Sequence, residues 1–423
     1  MIQEFSLKNF LSFNDRQTIN FLASSDKSNL EYLTYQPKEG VRILKLMLIY
    51  GANASGKSNL LFAIETLWRL LISSENNENN LIDFYRPFEL NKNEPTVFEI
   101  IFWFNKKKYH YKVEYDSNKI LYEKLDYTSD FGIMSNLYER EFGKEIKFGS
   151  TIDIKSNVKK EFNLNTLKNH TVLSTLNKKN INSPKILIDL YEWIKENIHE
   201  VSSFNNPVKL AEYAINNPPI KLFLLDLLKR ADFNIYDFDV IETKINDKIR
   251  NEILNDNSIP ESLKERILKS SKTVIFKHKS DLGEYSISYE FESNGTQTYF
   301  RLARLLVELS SNSTIILEDE LEENLHYDLL LHFLETYLRI EDNGQLIFST
   351  HNQMLLEESW MLRRDLICLI EKSSDTSCSE IYKASDLSLH KNISLLNAYK
   401  IGKLGSKPNL GSTFINKFDY EKK

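Results

Sequence analysis

The residues with the clearest chemical potential form the loop GANASGKS at residues 51–58. The loop matches the pattern GxxxxGK[ST], in which glycines let the backbone wrap closely around phosphate while several N–H groups point inward as an anion nest. We predict that the ammonium of Lys57 meets the β- and γ-phosphates of ATP and that the hydroxyl of Ser58 binds Mg²⁺. The predicted nucleotide-binding residues are Gly51, Ala52, Asn53, Ala54, Ser55, Gly56, Lys57, Ser58 and Asn59.

A second group of candidate residues follows the apolar run at residues 314–317. A carboxylate at a strand tip beside a phosphate loop can hold the Mg²⁺ shell, and the next carboxylate can polarise the attacking water. We therefore predict that Asp319 binds the metal and that Glu320 is the general base, although Glu318 directly before them leaves the pairing ambiguous. An acidic cluster after a strand is ordinary by itself and gains meaning only beside the phosphate loop.

Two further segments could contact phosphate. Residues 344–352 (GQLIFSTHN) form an apolar run that ends near His351, whose imidazole could bond the γ-phosphate and sense its loss. Residues 292–297 (ESNGTQ) precede a predicted helix, whose N-terminus, together with Ser293 and Gly295, would form another anion site. Because a histidine at a strand end is usually structural and SNGT alone is a turn, both hypotheses depend on the phosphate loop.

The elements around the phosphate loop are predicted from periodicity. Residues 45–50 form a short apolar run typical of a buried strand, and apolar residues recur at helical spacing across residues 59–71. The loop is therefore expected between a strand and a helix, which is the context this motif requires. Residues 96–127 are dense in aromatic and β-branched residues, broken by two turn signals, and predict an antiparallel meander.

The rest of the chain predicts an α/β fold. Residues 163–271 carry mainly helical patterns without long heptads, which indicates an inserted helical region rather than a coiled-coil arm. From residue 272 onward, strands alternate with helices, as is typical of a mostly parallel sheet covered on both faces. We predict three segments: 1–162 with the phosphate loop and an N-terminal antiparallel β lobe, 163–271 with the helical insertion, and 272–423 with the remaining candidate residues and a tail.

Composition and charge narrow the classes of function. The net charge of −6 argues against a protein that holds nucleic acid with its whole surface, so any such contact must be local or transient. Residues 103–112 mix aromatics with lysines and could form a nucleic-acid strip, although a half-exposed sheet is favoured. Cys368 and Cys378 lack CxxC spacing, which weakens zinc and redox interpretations. We expect neither a signal peptide nor a membrane span, and a cytoplasmic location.

Four segments now stand in one order: GANASGKS, ESNGTQ, ILEDE and STHN. This order resembles the ABC-type ATPase heads shared by chromosome-maintenance proteins, DNA-repair ATPases and the OLD nucleases. It resembles more closely the bacterial AAA-type, ABC-like ATPases of abortive-infection and anti-phage systems. The phrases LKNFLSF, YRPFEL, ELEENLH and LRRDLICLIEK support the resemblance, which covers most of the chain.

The resemblance implies a P-loop NTPase head of the ABC type, with ESNGTQ as its signature motif and His351 as its switch histidine. Two chains would enclose two nucleotides head to tail, as a homodimer or a higher oligomer. Two departures stand out: the signature lacks the usual adjacent glycines, and no glutamine for a Q-loop lies between residues 75 and 290, where Glu99 or Asn177 could substitute. The signature residues that would reach the ATP of the partner subunit are Ser293, Asn294, Gly295, Thr296 and Gln297.

The predicted function is an ATPase that dimerises with ATP and Mg²⁺ bound and separates after hydrolysis. The resemblance implies a sensor or regulator in anti-phage defence, with a separately encoded nuclease or toxin as its effector. Two alternatives stay open: a DNA-maintenance ATPase that clamps DNA directly, and a low-turnover scaffold that holds a toxin inactive. A self-contained nuclease is disfavoured because no convincing carboxylate set remains beyond the residues assigned to Mg-ATP.

Overall fold

The computed structural model describes residues 1–74, 77–129, 132–177, 181–199, 206–243, 256, 271–310, 314–340, 344–390, 393–405 and 407. The chain forms two compact units. Unit 1 comprises Met1–Ile198 and Ile347–Lys423, and unit 2 comprises His199–Leu346. The segment boundaries at residues 162 and 271 are based on sequence patterns, and they stay a prediction.

The described residues contain the following elements in chain order. The strands are β1 (Ile2–Lys8), β2 (Gln17–Asn20), β3 (Thr34–Lys38), β4 (Val41–Leu44), β5 (Leu46–Gly51), β6 (Thr96–Phe104), β7 (Lys107–Tyr115), β8 (Ile120–Thr128), β9 (Met134–Glu141), β10 (Lys147–Phe148), β11 (Ile198–His199), β12 (Ile235–Thr243), β13 (Ser271–Ser280), β14 (Gly283–Ser288), β15 (Ile315–Glu318), β16 (Gln345–Ser349), β17 (Ile367–Lys372) and β18 (Ser379–Lys383). The α-helices are α1 (Leu30–Leu33), α2 (Lys57–Ile72), α3 (Ser156–Asn165), α4 (Lys185–Asn197), α5 (Pro207–Ile215), α6 (Pro218–Arg230), α7 (Asn294–Leu309), α8 (Tyr327–Arg339) and α9 (Leu395–Lys400).

Unit 1 is built on a seven-stranded antiparallel sheet with the order β10-β9-β8-β7-β6-β1-β2. Alternate residues on β6 and β7 are buried, as expected for a sheet with one face against a core. Aromatic rings fill that core: Phe102 stacks on both Tyr109 and Trp193, with ring centroids 5.3 and 5.7 Å apart. Since Trp193 lies on α4, this helix closes the apolar face of the sheet.

A second sheet of unit 1 carries the phosphate loop. Strand β5 is buried along its whole length and runs parallel to β17, which pairs antiparallel with β18. A strand buried on both faces reads as a continuous apolar run, which explains the sequence pattern at residues 45–50. Helix α2 follows the loop, and its buried residues include Leu60, Ile64 and Leu67, at helical spacing.

Unit 2 combines helices with a three-stranded antiparallel sheet of order β12-β13-β14. Helix α6 packs against α5, α7 and β12. The rings of Phe238, Phe276 and Phe300 join the sheet to α7, with centroid distances of 5.1 Å between Phe276 and Phe300 and 5.6 Å between Phe238 and Phe300. These edge-on contacts form the apolar centre of the unit.

The predicted α/β fold class, with an N-terminal antiparallel β lobe and an inserted helical region, is confirmed. Two parts of the chain differ from the sequence-based expectation. The block predicted as mainly helical contains the strand Ile235–Thr243, and Met134–Glu141 extends the antiparallel sheet beyond the predicted meander. None of the helices in the described ranges is long and apolar enough to cross a membrane.

Candidate functional site

The phosphate loop has a backbone that tolerates no side chain at either glycine. A Cβ atom on Gly51 would lie 2.3 Å from the Ser55 Oγ and 2.6 Å from the Ile370 carbonyl oxygen. Gly56 has a φ of +114° and caps the N-terminus of α2. The left-handed φ and the crowding together require glycine at the two positions fixed by the motif.

Hydroxyl groups from distant parts of the chain hold the loop from outside. The Ser379 hydroxyl donates to the Ser55 carbonyl oxygen at 2.5 Å and lies 2.8 Å from the Ser12 Oγ. Asn59, in the first turn of α2, donates to the same Ser12 Oγ at 2.8 Å. A Cβ on Gly56 would lie 2.5 Å from the Ser379 Oγ, so the hydroxyls also pack against the loop backbone. Sequence reasoning did not identify Ser12 or Ser379 as supports of the loop.

Lys57 and Ser58 begin the helix that follows the loop. Lys57 is buried, and its ammonium donates to the carbonyl oxygens of Gly51 at 3.0 Å and Ala52 at 3.1 Å. Its charge is thereby held within the curve of the loop. Ser58 is exposed, in the first turn of α2, where the positive end of the helix favours anions.

The loop lines a cavity of about 990 Å³ within unit 1. His351 lines the same cavity, so the structure brings the predicted switch histidine beside the phosphate loop. The Thr350 N–H, next to it, donates to the Ile49 carbonyl oxygen at 3.1 Å. The Tyr50 hydroxyl donates to the Asn352 carbonyl oxygen at 3.0 Å. The lining residues are Gly51, Ala52, Asn53, Ala54, Ser55, His351, Gln353, Ile370, Glu371, Lys372, Ser373, Ser374, Glu380, Tyr399 and Lys407.

The chemistry of this cavity fits a nucleoside triphosphate with Mg²⁺. The Ser55 Oγ is buried and has no hydrogen-bond partner among the described residues, which leaves a donor available at the loop. Within the described ranges, no group of three or more His, Cys, Asp or Glu side chains is arranged to hold a metal ion. Magnesium that is held largely by substrate phosphates and water needs few protein ligands. The Ser58 hydroxyl is suited to be one of those ligands.

The acidic segment of unit 2 divides its three carboxylates between interior and surface. Glu318 is buried and forms an ion pair with Arg301 of α7, and burial raises the pKa of its carboxyl. Asp319 is half-buried, and Glu320 is exposed with a φ of 52°. A left-handed conformation in a non-glycine residue stores strain that is often kept for function. The Arg301 pairing gives Glu318 a structural role and leaves the following two carboxylates as the candidates.

The predicted signature residues lie at the N-terminus of α7, also in unit 2. Ser293 is the N-cap, and its hydroxyl accepts from the Thr296 N–H at 3.1 Å. Thr296 is buried, with its own hydroxyl 2.8 Å from the Ser293 Oγ, and the Gln297 side chain donates to the Glu292 carbonyl oxygen at 3.0 Å. Asn294 and Gly295 follow the cap. Their backbone N–H groups belong to the first helical turn, where N–H groups have no intrahelical acceptor.

The two possible substitutes for a Q-loop residue lie in unit 1. Glu99 on β6 contacts Arg16 at 2.6 Å and His110 at 2.6 Å. The hydrogen bond with His110, followed by the contact with Arg16, lowers the pKa of the Glu99 carboxyl to about 2. Its carboxylate is thus held within the sheet. Asn177 ends the 3₁₀ helix Ser174–Asn177.

Comparison with protein families gives a match over most of the chain. The family model described as "AAA domain, putative AbiEii toxin, Type IV TA system" matches residues 46–357, which is more than half of the chain. This range includes the phosphate loop, the acidic segment and His351.

Individual relatives are more distant. The SMC head bound to the C-winged-helix domain of ScpA is 13% identical, with 94% of this chain and 99% of that chain aligned and a TM-score of 0.41. The SMC head domain from Thermotoga maritima is 14% identical, with 90% and 98% aligned and a TM-score of 0.40. An uncharacterized protein of Dictyostelium discoideum is 27% identical over 208 residues, which cover 45% of this chain and only 25% of that protein.

Proposed function

The chain belongs to the AAA-domain family described as putative AbiEii toxin of type IV toxin–antitoxin systems, and on that premise we propose that it binds and hydrolyses ATP as a dimerising switch. The family relationship supports an AAA-type P-loop ATPase. Hydrolysis, dimerisation and a role in anti-phage defence are the parts that we add.

One observation carries the proposal. The strand–loop–helix of residues 46–72 places residues 51–55 of the loop along one cavity, which His351 also lines. The buried Lys57, whose ammonium bonds the Gly51 and Ala52 carbonyl oxygens, and the exposed Ser58 begin the helix that follows. Backbone N–H groups at a helix N-terminus and a lysine ammonium are suited to a polyphosphate. A cavity of this kind offers positioning and electrostatic stabilisation, which are the main needs of phosphoryl transfer.

We assign the catalytic roles as follows. Ser58 and Asp319 would hold Mg²⁺, and the ion would supply positive charge against the charge that develops on the phosphate. Glu320 would accept a proton from the attacking water, and His351 would bond the γ-phosphate. Ser293 to Gln297 would bind the ATP of a second copy through the first turn of α7, which makes ATP binding promote dimerisation.

We propose that the switch serves anti-phage defence by controlling a separately encoded nuclease or toxin. This part rests on the family description and on the resemblance to abortive-infection ATPases, since a fold by itself does not specify a biological role. A toxin or nuclease encoded beside this protein and co-purifying with it in an ATP-dependent manner would support the assignment. Normal phage resistance in cells that carry the Lys57→Ala chain would contradict it.

The central test is nucleotide binding and turnover by the wild type, Lys57→Ala and Glu320→Gln. We expect Lys57→Ala to lose ATP binding. We expect Glu320→Gln to bind ATP normally, to lose hydrolysis by at least about a hundredfold and to accumulate as an ATP-bound dimer by light scattering. Glu323→Gln is the matched control, because Glu323 is an exposed carboxylate three residues further along the same turn. Near-normal ATP affinity in Lys57→Ala would overturn the proposal.

A second cavity favours direct DNA binding as the alternative function. It has a volume of about 590 Å³ and lies in unit 1 beside the β6–β7 turn. Four of its lining residues are lysines, and none of the described lining residues is acidic, so the local charge opposes the net charge of the chain. The lysines are Lys38, Lys106, Lys107 and Lys108.

DNA binding at this cavity would stimulate ATP hydrolysis and would weaken steeply with added salt. The double variant Lys106→Glu/Lys108→Glu would remove that stimulation, whereas Lys209→Glu, at an exposed position in unit 2, would leave it unchanged. Hydrolysis that is equally fast with and without DNA, in the wild type at low salt, would favour the switch over the clamp.

A further inference from the structure

The C-terminal segment, meaning residues 394–405 and Lys407, contributes two side chains to the cavity of the phosphate loop. Tyr399, on α9, and Lys407, after it, line this cavity together with Gly51–Ser55 and His351. Neither residue belongs to a motif identified in the sequence, and both lie outside residues 46–357, the range matched by the family model.

Several contacts hold the segment in place. Helix α9 packs against the 3₁₀ helix Gln353–Glu357, which begins two residues after His351. The Tyr399 ring lies 6.5 Å from the ring of Tyr50, at the end of the strand that leads into the phosphate loop. Burial raises the pKa of the Tyr399 hydroxyl, in keeping with a ring packed inside unit 1.

A turn at residues 401–405 follows α9 and is fixed by contacts with Tyr382. The Tyr382 hydroxyl donates to the Leu404 carbonyl oxygen at 2.8 Å. Gly405 has a φ of +59°, and a Cβ there would lie 2.4 Å from the Tyr382 hydroxyl oxygen. The left-handed backbone and the close approach of Tyr382 both require glycine at this turn.

Lys407 is exposed, and its charge has no carboxylate partner among the described residues. Its ammonium donates to the Lys400 carbonyl oxygen at 2.7 Å and lies 6.0 Å from the centre of the Tyr399 ring. A carbonyl oxygen and an aromatic face are weak partners for a cation compared with phosphate oxygens, which form charge-assisted hydrogen bonds. A polyphosphate in the shared cavity is therefore a better partner for this ammonium.

We propose that residues 394–405, together with Lys407, form a wall of the nucleotide site and that Lys407 supplies a positive charge to the polyphosphate of the bound nucleotide. The inference rests on the proposed function, since it assumes that the cavity binds a nucleoside triphosphate. It assigns a nucleotide-positioning role to Lys407 and a packing role to Tyr399, which fixes the segment against Tyr50.

The test compares the affinities of the full chain for Mg-ATP and Mg-ADP by calorimetric titration. We expect Lys407→Ala to weaken ATP binding about tenfold and ADP binding by a smaller factor, because a charge-assisted hydrogen bond weakens as the ligand charge falls. Lys407→Arg should restore most of the ATP affinity. The ATP affinity of the wild type should fall more steeply with added salt than that of Lys407→Ala. Lys403→Ala is the matched control, because Lys403 is an exposed lysine of the same turn that does not line the cavity.

Two results would overturn the inference: Lys407→Ala binding ATP as Lys403→Ala does, or losing ATP and ADP affinity by the same factor. The proposed function fails separately, if the wild type binds no ATP or if Lys57→Ala binds it normally. A wild type that binds ATP, a Lys57→Ala chain that does not and a Lys407→Ala chain that is unaffected would remove only the inference about the C-terminal segment.

Discussion

The phosphate loop of unit 1 and the acidic and signature segments of unit 2 are organised in different ways. The loop depends on its backbone, because Gly51 and Gly56 occupy positions where any side chain would collide with neighbouring atoms. In unit 2 several polar side chains of these segments already bond within the unit, as Glu318 does with Arg301 and Ser293 does with Thr296. The glycines of the loop are therefore required by the space around the backbone. The candidate residues of unit 2 are instead distinguished by which of their polar atoms remain exposed.

The largest expected effect tests whether crowding defines the loop. Gly56→Ala should lower the free energy of unfolding by about 2–4 kcal/mol and abolish ATP binding, because it combines a left-handed φ with a collision against the Ser379 and Ser12 hydroxyls. Gly40→Ala is the control: its φ is +81°, and nothing lies within 4 Å of the added Cβ. Urea unfolding should show a loss of only about 1 kcal/mol there. Equal losses in the two variants would mean that crowding has no part in the loop.

A smaller effect tests whether Glu318 is structural. Arg301→Ala should lower the free energy of unfolding by about 3 kcal/mol at pH 7, because it leaves a buried carboxylate without its partner. Adding Glu318→Gln to this variant should recover most of the loss, since a neutral amide costs less to bury than a charge. A double variant as unstable as Arg301→Ala would contradict the structural assignment.

The same variant carries a pH signature with a defined sign. Burial already raises the folded-state pKa of Glu318, and removing Arg301 takes away an interaction that lowers it. A carboxyl with a raised folded-state pKa costs stability as the pH rises from its unfolded value towards the folded one, because the unfolded chain loses its proton first. The destabilisation in Arg301→Ala should therefore shrink as the pH falls from 7 towards about 4.5.

The smallest expected effect concerns the outer support of the loop. Ser379→Ala removes a hydroxyl that bonds the Ser55 carbonyl oxygen and contacts Ser12, and should cost about 1 kcal/mol of stability and a few-fold in ATP affinity. Ser385→Ala removes a hydroxyl whose partner among the described residues is the exposed Asp386, and should change neither quantity measurably. If Ser379→Ala also leaves ATP affinity unchanged, the loop is sufficiently held by its own backbone.

The sequence predicted what is determined locally. The strand, loop and helix of residues 46–72 follow from apolar periodicity and two glycines, and the antiparallel meander follows from alternation between turn signals. The strand Ile235–Thr243 was missed because it follows a run of helices and is completed by pairing with β13, which begins at Ser271. Strands depend on such distant partners more than helices do.

The candidate site shows the same difference between what local sequence determines and what distant contacts determine. Lys57 and His351 could be placed from motifs, and the cavity contains the loop and His351 together. Ser379 and Lys407 could not be identified, because nothing in their local sequence indicates which distant atoms they approach. The roles of Lys57, Ser58, His351, Asp319, Glu320 and the signature residues stay predictions.

The contact between Ser12 and Ser379 joins positions 367 residues apart, and it has a consequence for synthesis of the protein. A ribosome adds roughly 5–20 residues per second, so the second hydroxyl emerges on the order of 20–70 s after the first. Strand β17, the parallel neighbour of β5, is also made late. A nascent chain that has not yet reached residue 367 therefore carries the whole glycine loop without these neighbours.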